Sequence, residues 1–191
     1  PDLWFNDAAT VDLGVDLELA VLDRALDGFS ALPEHVYISL NASPETVISG
    51  RLLSVLAGAP VERTVIELTE HAQVLDYGAL LDALVPLRAA GMRLAVDDAG
   101  AGYASLQHIV QLRPDVIKLD MSLTRAVDVD PARRALAAAL IYFAAETGAQ
   151  IVAEGIETED EFAALKSLGA QCGQGYLLGK PIPVAGCSEF F

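Results

Sequence analysis

Short apolar runs that stop at polar residues alternate along this chain with longer stretches in which leucines recur every three or four positions. The short runs predict strands at 36–40, 64–68, 93–97, 116–119, 150–153 and 171–173. The longer stretches predict helices with readable ends. The first lies at roughly residues 15–28. Ser43 caps a second, with Pro44 at its first position, where a missing N–H costs nothing. Leu80, Leu84 and Leu87 form one apolar face closed by Gly91, although Pro86 interrupts the pattern and predicts a kink. Asp130-Pro131 opens a helix whose Leu136, Leu140 and Phe143 are spaced to face a sheet. Thr158 and Glu161 form a capping box, followed by Phe162, Leu165, Leu168 and a terminating Gly169.

Strand–helix alternation of this kind gives a parallel sheet, either open and doubly wound or closed as a (β/α)8 barrel. Side-chain parity favours the barrel. Ser39 and Asn41, Val65 and Glu67, Ala95 and Asp97, Val116 and Lys118, and Val152 and Glu154 pair an inner position with a polar residue near the carboxyl end of each strand. A barrel mouth gathers such residues, whereas an open sheet concentrates its site at one switch point. Only six strands are legible, so the expected fold is an N-terminally incomplete barrel within a single domain over residues 1–191.

Composition narrows the function. The chain has 191 residues, 53% hydrophobic and 20% charged, which suits one large globular domain. A net charge of −15 without a basic stripe argues against polymeric nucleic acid as a partner. No apolar run reaches the ~18 residues that a membrane span needs, so no membrane contact is expected of this segment. Cys172 and Cys187 have no ligand or redox spacing, and a cytoplasmic setting is the plainer expectation, although a longer parent protein is compatible with membrane tethering. His35, His71 and His108 lack ligand spacing and read as loop or surface residues. The alanine-rich stretch 132–145 reads as a packed helix and a candidate homodimer surface.

Glu67, Asp97, Asp98 and Glu154 would bring four formal negative charges to one rim. Two unit charges ~4 Å apart repel by about 4 kcal/mol at an effective dielectric of 20. Two divalent cations would cancel them, and hard oxygen donors without His or Cys favour Mg or Mn over Zn. Adjacent Asp97 and Asp98 cannot share a face of a regular strand, so the strand is predicted to end there. Lys118, rare in an apolar strand unless paired, is placed to neutralise a phosphate oxygen or position a hydroxide. Taken singly, Asn41 reads as a turn residue and Glu67 as a surface acid.

Six segments change that weighting by occurring in order. They are Asn41-Ala42-Ser43-Pro44, Glu67-Leu68-Thr69-Glu70, the stretch from Asp97-Asp98 to Leu106, Pro114–Asp120, Ala153-Glu154-Gly155-Ile156-Glu157 and Gln174-Gly175-Tyr176. Together they resemble the EAL domain, over about residues 1–184. Active members of that family hydrolyse cyclic di-GMP to linear pGpG. The resemblance implies Asn41, Glu67 and Asp97 as ligands of a first metal, and Asp97, Asp98 and Glu154 as ligands of a second, with Asp97 bridging. It implies that Lys118 orients the nucleophilic water and that Glu154 is a general-base candidate. Gln174 and Glu157 become supporting residues, Asp120 lies near the nucleotide, and Glu70 steadies the loop after the Asp pair. It also implies fused sensory or GGDEF-type domains in the parent protein.

The chain departs from the family in two places. The Glu-Ala-Leu motif, whose Glu is a metal ligand, has no counterpart, since Leu17-Glu18-Leu19-Ala20 falls in a helix beyond its expected place. The Arg that follows the motif is missing too. The chain is therefore expected to begin after the first two barrel strands and to be impaired on its own. Ala99 and Ala101 also replace the Phe and Thr usual in the loop after the Asp pair. These departures favour an alternative reading, a cyclic di-GMP sensor or partner-binding module without turnover. A third reading is a metal-assisted barrel enzyme with another substrate.

Overall fold

β-Branched runs form strands where sequence parity places them. The computed structural model of the chain describes residues 2–29, 32–68, 74–101 and 103–183, with side chains for all of these except residues 2 and 103–105. Six parallel strands lie among the described residues, grouped in two units.

The first unit comprises the described residues up to Leu68 together with Val74–Arg93 and Pro183. It contains α1 (Asp2–Thr10), α2 (Gly14–Leu26), β1 (Ile38–Ala42), α3 (Pro44–Ile48), α4 (Leu52–Leu56), β2 (Thr64–Leu68) and α5 (Tyr77–Ala89). β1 starts two residues later than its apolar run, because Val36 is tied into the preceding loop. Arg63 donates to the carbonyls of Val36 at 2.7 Å and Pro33 at 2.6 Å while lying over the Phe29 ring. β1 and β2 pair from Ile38↔Thr64 to Ala42↔Leu68, which sets Asn41 opposite Glu67. The Ser43 side chain caps α3 by accepting the Thr46 N–H at 3.2 Å. α5 runs through Pro86 to Ala89, and its buried Leu80, Leu84 and Leu87 anchor the turns on either side of the missing N–H.

The second unit, from Leu94 to Ile182, begins within β3 (Arg93–Ala99). It continues through α6 (Tyr103–Leu112), β4 (Val116–Leu119), α7 (Met121–Thr124), α8 (Pro131–Thr147), β5 (Gln150–Ala153), α9 (Glu159–Leu168) and β6 (Cys172–Gly173). Val96, Ile117, Leu119, Ile151 and Ala153 join Ile109, Leu140, Ile141 and Leu165 in one apolar core. Alternate positions on β3 to β5 therefore point the other way, and those are the ones that carry Asp97, Lys118 and, one step past β5, Glu154. α8 buries Ala137, Leu140, Ile141 and Ala144, leaving Leu136 exposed, so its inner face is rotated from the predicted one. His108, expected at the surface, is buried on α6, and burial pushes its imidazole pKa down.

The Thr158–Glu161 capping box forms as expected, and Gly169 closes α9 in the left-handed region at φ 100°. Glu161 does more than cap. Its carboxylate also accepts the Ala126 N–H at 2.9 Å, together with those of Glu157 and Thr158 at 3.1 Å. Burial alone would raise its pKa, but these backbone donors and the Thr158 side chain outweigh it and hold it below the ordinary glutamate value of 4.5. Its folded pKa is thus depressed, so its contribution is complete above that value and is lost as pH falls through the folded pKa. Glu161→Gln is expected to lower Tm by about 2–4 °C at pH 7. That deficit should shrink below pH 4.5 in thermal melts, and a pH-independent deficit would contradict the assignment.

Candidate metal centre

On β3 the two adjacent acids do not end the strand, as the sequence had suggested, but pass through a bulge. Val96 pairs with Ile117 and Ala99 with Leu119, so Asp97 and Asp98 together face the single residue Lys118. Asp98 takes φ 52°, a left-handed conformation that Asp tolerates better than most residues, and its N–H donates to Asp97 Oδ1 at 3.0 Å. The extra residue gives the second carboxylate access to the side already occupied by the first.

Lys118 lies on β4, in register with Val152 of β5, and Glu154 extends that ladder by donating its N–H to the Leu119 carbonyl at 3.0 Å. The Lys118 ammonium sits 3.0 Å from Asp97 Oδ1 and 2.8 Å from Glu154 Oε1. These side chains are only 10–17% exposed, so water screens the pairs weakly. One carboxylate oxygen from each of Asp97, Asp98 and Glu154 falls within a 4.8 Å cluster. With Lys118 counted, the group carries two net negative charges, the charge of one divalent cation. Its donors are all hard oxygens, with no His or Cys among them, so the residues present suit Mg, Mn or Ca better than Zn.

The first unit holds the other two expected ligands. Asn41 and Glu67 are register partners, Asn41 exposed and Glu67 buried. Ser39, on the same face as Asn41, donates its hydroxyl to Glu67 Oε1. Parity already put Ser39 on that face, but nothing in the sequence tied it to Glu67. Glu18 is structural, since its carboxylate accepts both the Ser43 N–H at 3.0 Å and the Ser43 hydroxyl at 2.8 Å, fixing the chain just beyond Asn41.

The remaining expected residues are more scattered. Asp120 caps α7 by accepting the Ser122 N–H at 2.8 Å. Glu157 is exposed and pairs with Arg125 at 2.6 Å rather than with the acid cluster. The Gln174 side chain is exposed, while its backbone bonds Ala153 at 2.8 Å and Ile156 at 3.1 Å. Glu70 and His71 lie outside the described residues. No described helix is long and apolar enough to cross a membrane.

The family model for the EAL domain matches residues 1–181. The chain belongs to the EAL domain family. This EAL domain is 33% identical over 124 residues to cyclic di-GMP phosphodiesterase RocR of Pseudomonas aeruginosa, covering 65% of the chain and 32% of RocR. It is 28% identical over 191 residues to the probable cyclic di-GMP phosphodiesterase PdeD of Escherichia coli, covering 96% of the chain and 36% of PdeD. Among solved structures, BlrP1 of Klebsiella pneumoniae, in a calcium and cyclic di-GMP complex, matches with a TM-score of 0.82 and 31% identity, over 93% of this chain and 47% of that one. The EAL domain thus spans about a third of these curated relatives, and its fold class is the (β/α)8 barrel of that family, with six strands among the described residues.

Proposed function

We propose that this EAL domain, as one domain over residues 1–191, hydrolyses cyclic di-GMP to linear pGpG with two divalent metal ions, Mg or Mn. The observation that carries this reading is Lys118, held between Asp97 and Glu154 beside Asp98. A lysine held there is placed both to offset the acids and to orient a water toward a phosphate. Relatives named as cyclic di-GMP phosphodiesterases support the substrate.

Asp97, Asp98 and Glu154 would hold one ion, and Asn41 and Glu67, register partners on β1 and β2, would serve the other. Bound there, the ions would polarise a phosphoryl oxygen and acidify water. The chain's own residues do the rest. Lys118 orients the attacking water and offsets charge on the phosphate. Glu154 accepts the proton as the water oxygen bonds to phosphorus and the P–O3′ bond breaks, and the departing O3′ takes up a proton from solvent. Asp120, Gln174 and Glu157 support the nucleotide. Fused sensory or GGDEF-type domains in the full-length protein, and a homodimer through 132–145, belong to the same reading. A relative named as a bifunctional diguanylate cyclase and phosphodiesterase, MucR, supports the fusion.

The test is chromatography of nucleotides after incubating full-length protein with cyclic di-GMP and Mn or Mg. pGpG is expected with metal, and none with chelator. Tight binding without product would favour the sensor reading suggested by Ala99 and Ala101. Absence of binding would remove both.

A further inference from the structure

The chain just beyond the clustered acids rests, in both places, on one short turn. A Cβ on Gly100, which follows the Asp pair at φ 103°, would collide with the Leu123 side chain. A Cβ on Gly155, which follows Glu154 at φ 65°, would lie 2.6 Å from Met121 Cβ. Leu123 and Met121 both belong to α7. The turn is itself well tied, with Asp120 capping it and the Asp120 carbonyl accepting the N–H groups of Leu123 at 2.9 Å and Thr124 at 3.3 Å.

Between these contacts sits Thr124, fully buried, whose hydroxyl donates to the backbone carbonyl of Glu154. Its other acceptor within reach, the Met121 carbonyl, is 3.4 Å away, so the single hydroxyl proton goes to Glu154. The Glu154 N–H is meanwhile held by Leu119. Both backbone polar groups of the acid are thereby fixed, one by β4 and one by α7. With its backbone pinned, few side-chain torsions remain to bring its carboxylate to Lys118 and into the cluster with Asp97 and Asp98.

We propose that Thr124 is a positioning residue: its hydroxyl holds the Glu154 carbonyl so that the Glu154 carboxylate completes the metal-ligating set. The proposal rests on reading that set as a divalent-metal phosphodiester site. It assigns a role to a side chain that itself touches neither metal nor substrate. Valine at this position keeps the branched shape and removes the donor, whereas serine keeps the donor and removes a methyl group.

The experiment compares full-length wild type, Thr124→Val, Thr124→Ala and Thr124→Ser by Mn titration, with bound Mn followed by electron paramagnetic resonance, and by turnover against Mn concentration. Thr124→Val and Thr124→Ala are expected to weaken Mn binding about 10-fold or more, the usual size of a lost outer contact. The Mn concentration for half-maximal turnover should rise in step, with KM for cyclic di-GMP nearly unchanged and Thr124→Ser close to wild type. The alanine variant carries the test if the valine variant does not fold. Wild-type Mn affinity in a folded Thr124→Val or Thr124→Ala overturns the proposal. So does a Thr124→Ser that falls as far, since volume and not the hydroxyl would then be at stake. A wild type that binds Mn without turnover leaves the titration decisive for Thr124, whereas a wild type that binds no Mn removes the metal reading itself and the proposal with it.

Discussion

Asp97→Ala is expected to lower cyclic di-GMP turnover by the full-length protein by about 10³-fold or more, read as pGpG formed per unit time at saturating Mn. Asp97 stands where three demands meet. Its Oδ1 lies 3.0 Å from Lys118 Nζ and accepts the Asp98 N–H at 3.0 Å, and it supplies an oxygen to the metal-ligating cluster. Truncation removes a metal donor, takes from Lys118 one of the two acids it bridges, and frees the left-handed turn that aims Asp98. Metal capture, placement of the water and the second carboxylate all fail together, so the loss should exceed that of any single contact. A variant retaining more than about a tenth of wild-type turnover would put the chemistry elsewhere.

Lys118→Met should produce the largest change in stability. The side chain keeps much of its length, but the cation between Asp97 and Glu154 is gone, and burial leaves the acids little water to replace it. Removing one partner of a buried pair costs about 3–5 kcal/mol, which for a domain of this size means a fall in Tm of roughly 10 °C in chelator. Mn should recover much of that loss by mass action while turnover stays low, because the ion replaces the charge but not the ammonium's hold on the water. Melts with chelator and with Mn separate the two effects. Equal melting of variant and wild type in chelator would mean that the lysine does not compensate the acids.

Much of this site could be read from alternation alone. The positions of Val116 and Lys118, and of Val152 and Glu154, determine that these polar groups leave the sheet on the face opposite Ile117, Leu119, Ile151 and Ala153, and they do. Caps were legible for the same reason: Ser43, Asp130 and Thr158 precede their helices with the right donor spacing. The bulge was not legible, because a strand that stops and a strand that bulges both free the second of two adjacent acids. α8 was misjudged by a small rotation because alanines at most positions give its two faces little contrast. Buried His108 was lost because one polar residue in an amphipathic helix has no spacing to betray it. Thr124 was invisible for a related reason. A β-branched residue in a short turn looks like filler until its hydroxyl is seen to meet a carbonyl 30 positions away.

The bulge makes the geometry of the acid pair a property of residue count as much as of residue type. Between Val96 and Ala99 the strand carries one residue more than its partner spends between Ile117 and Leu119. Point substitutions leave that count, and with it the bulge, intact, even where, as at Asp97, they remove the contact that steadies the neighbouring acid. A single-residue in-frame deletion in this segment would instead let β3 pair regularly with β4, leaving one acid position opposite Lys118 where there are now two. The bulge therefore survives changes of spelling that a change of length would erase.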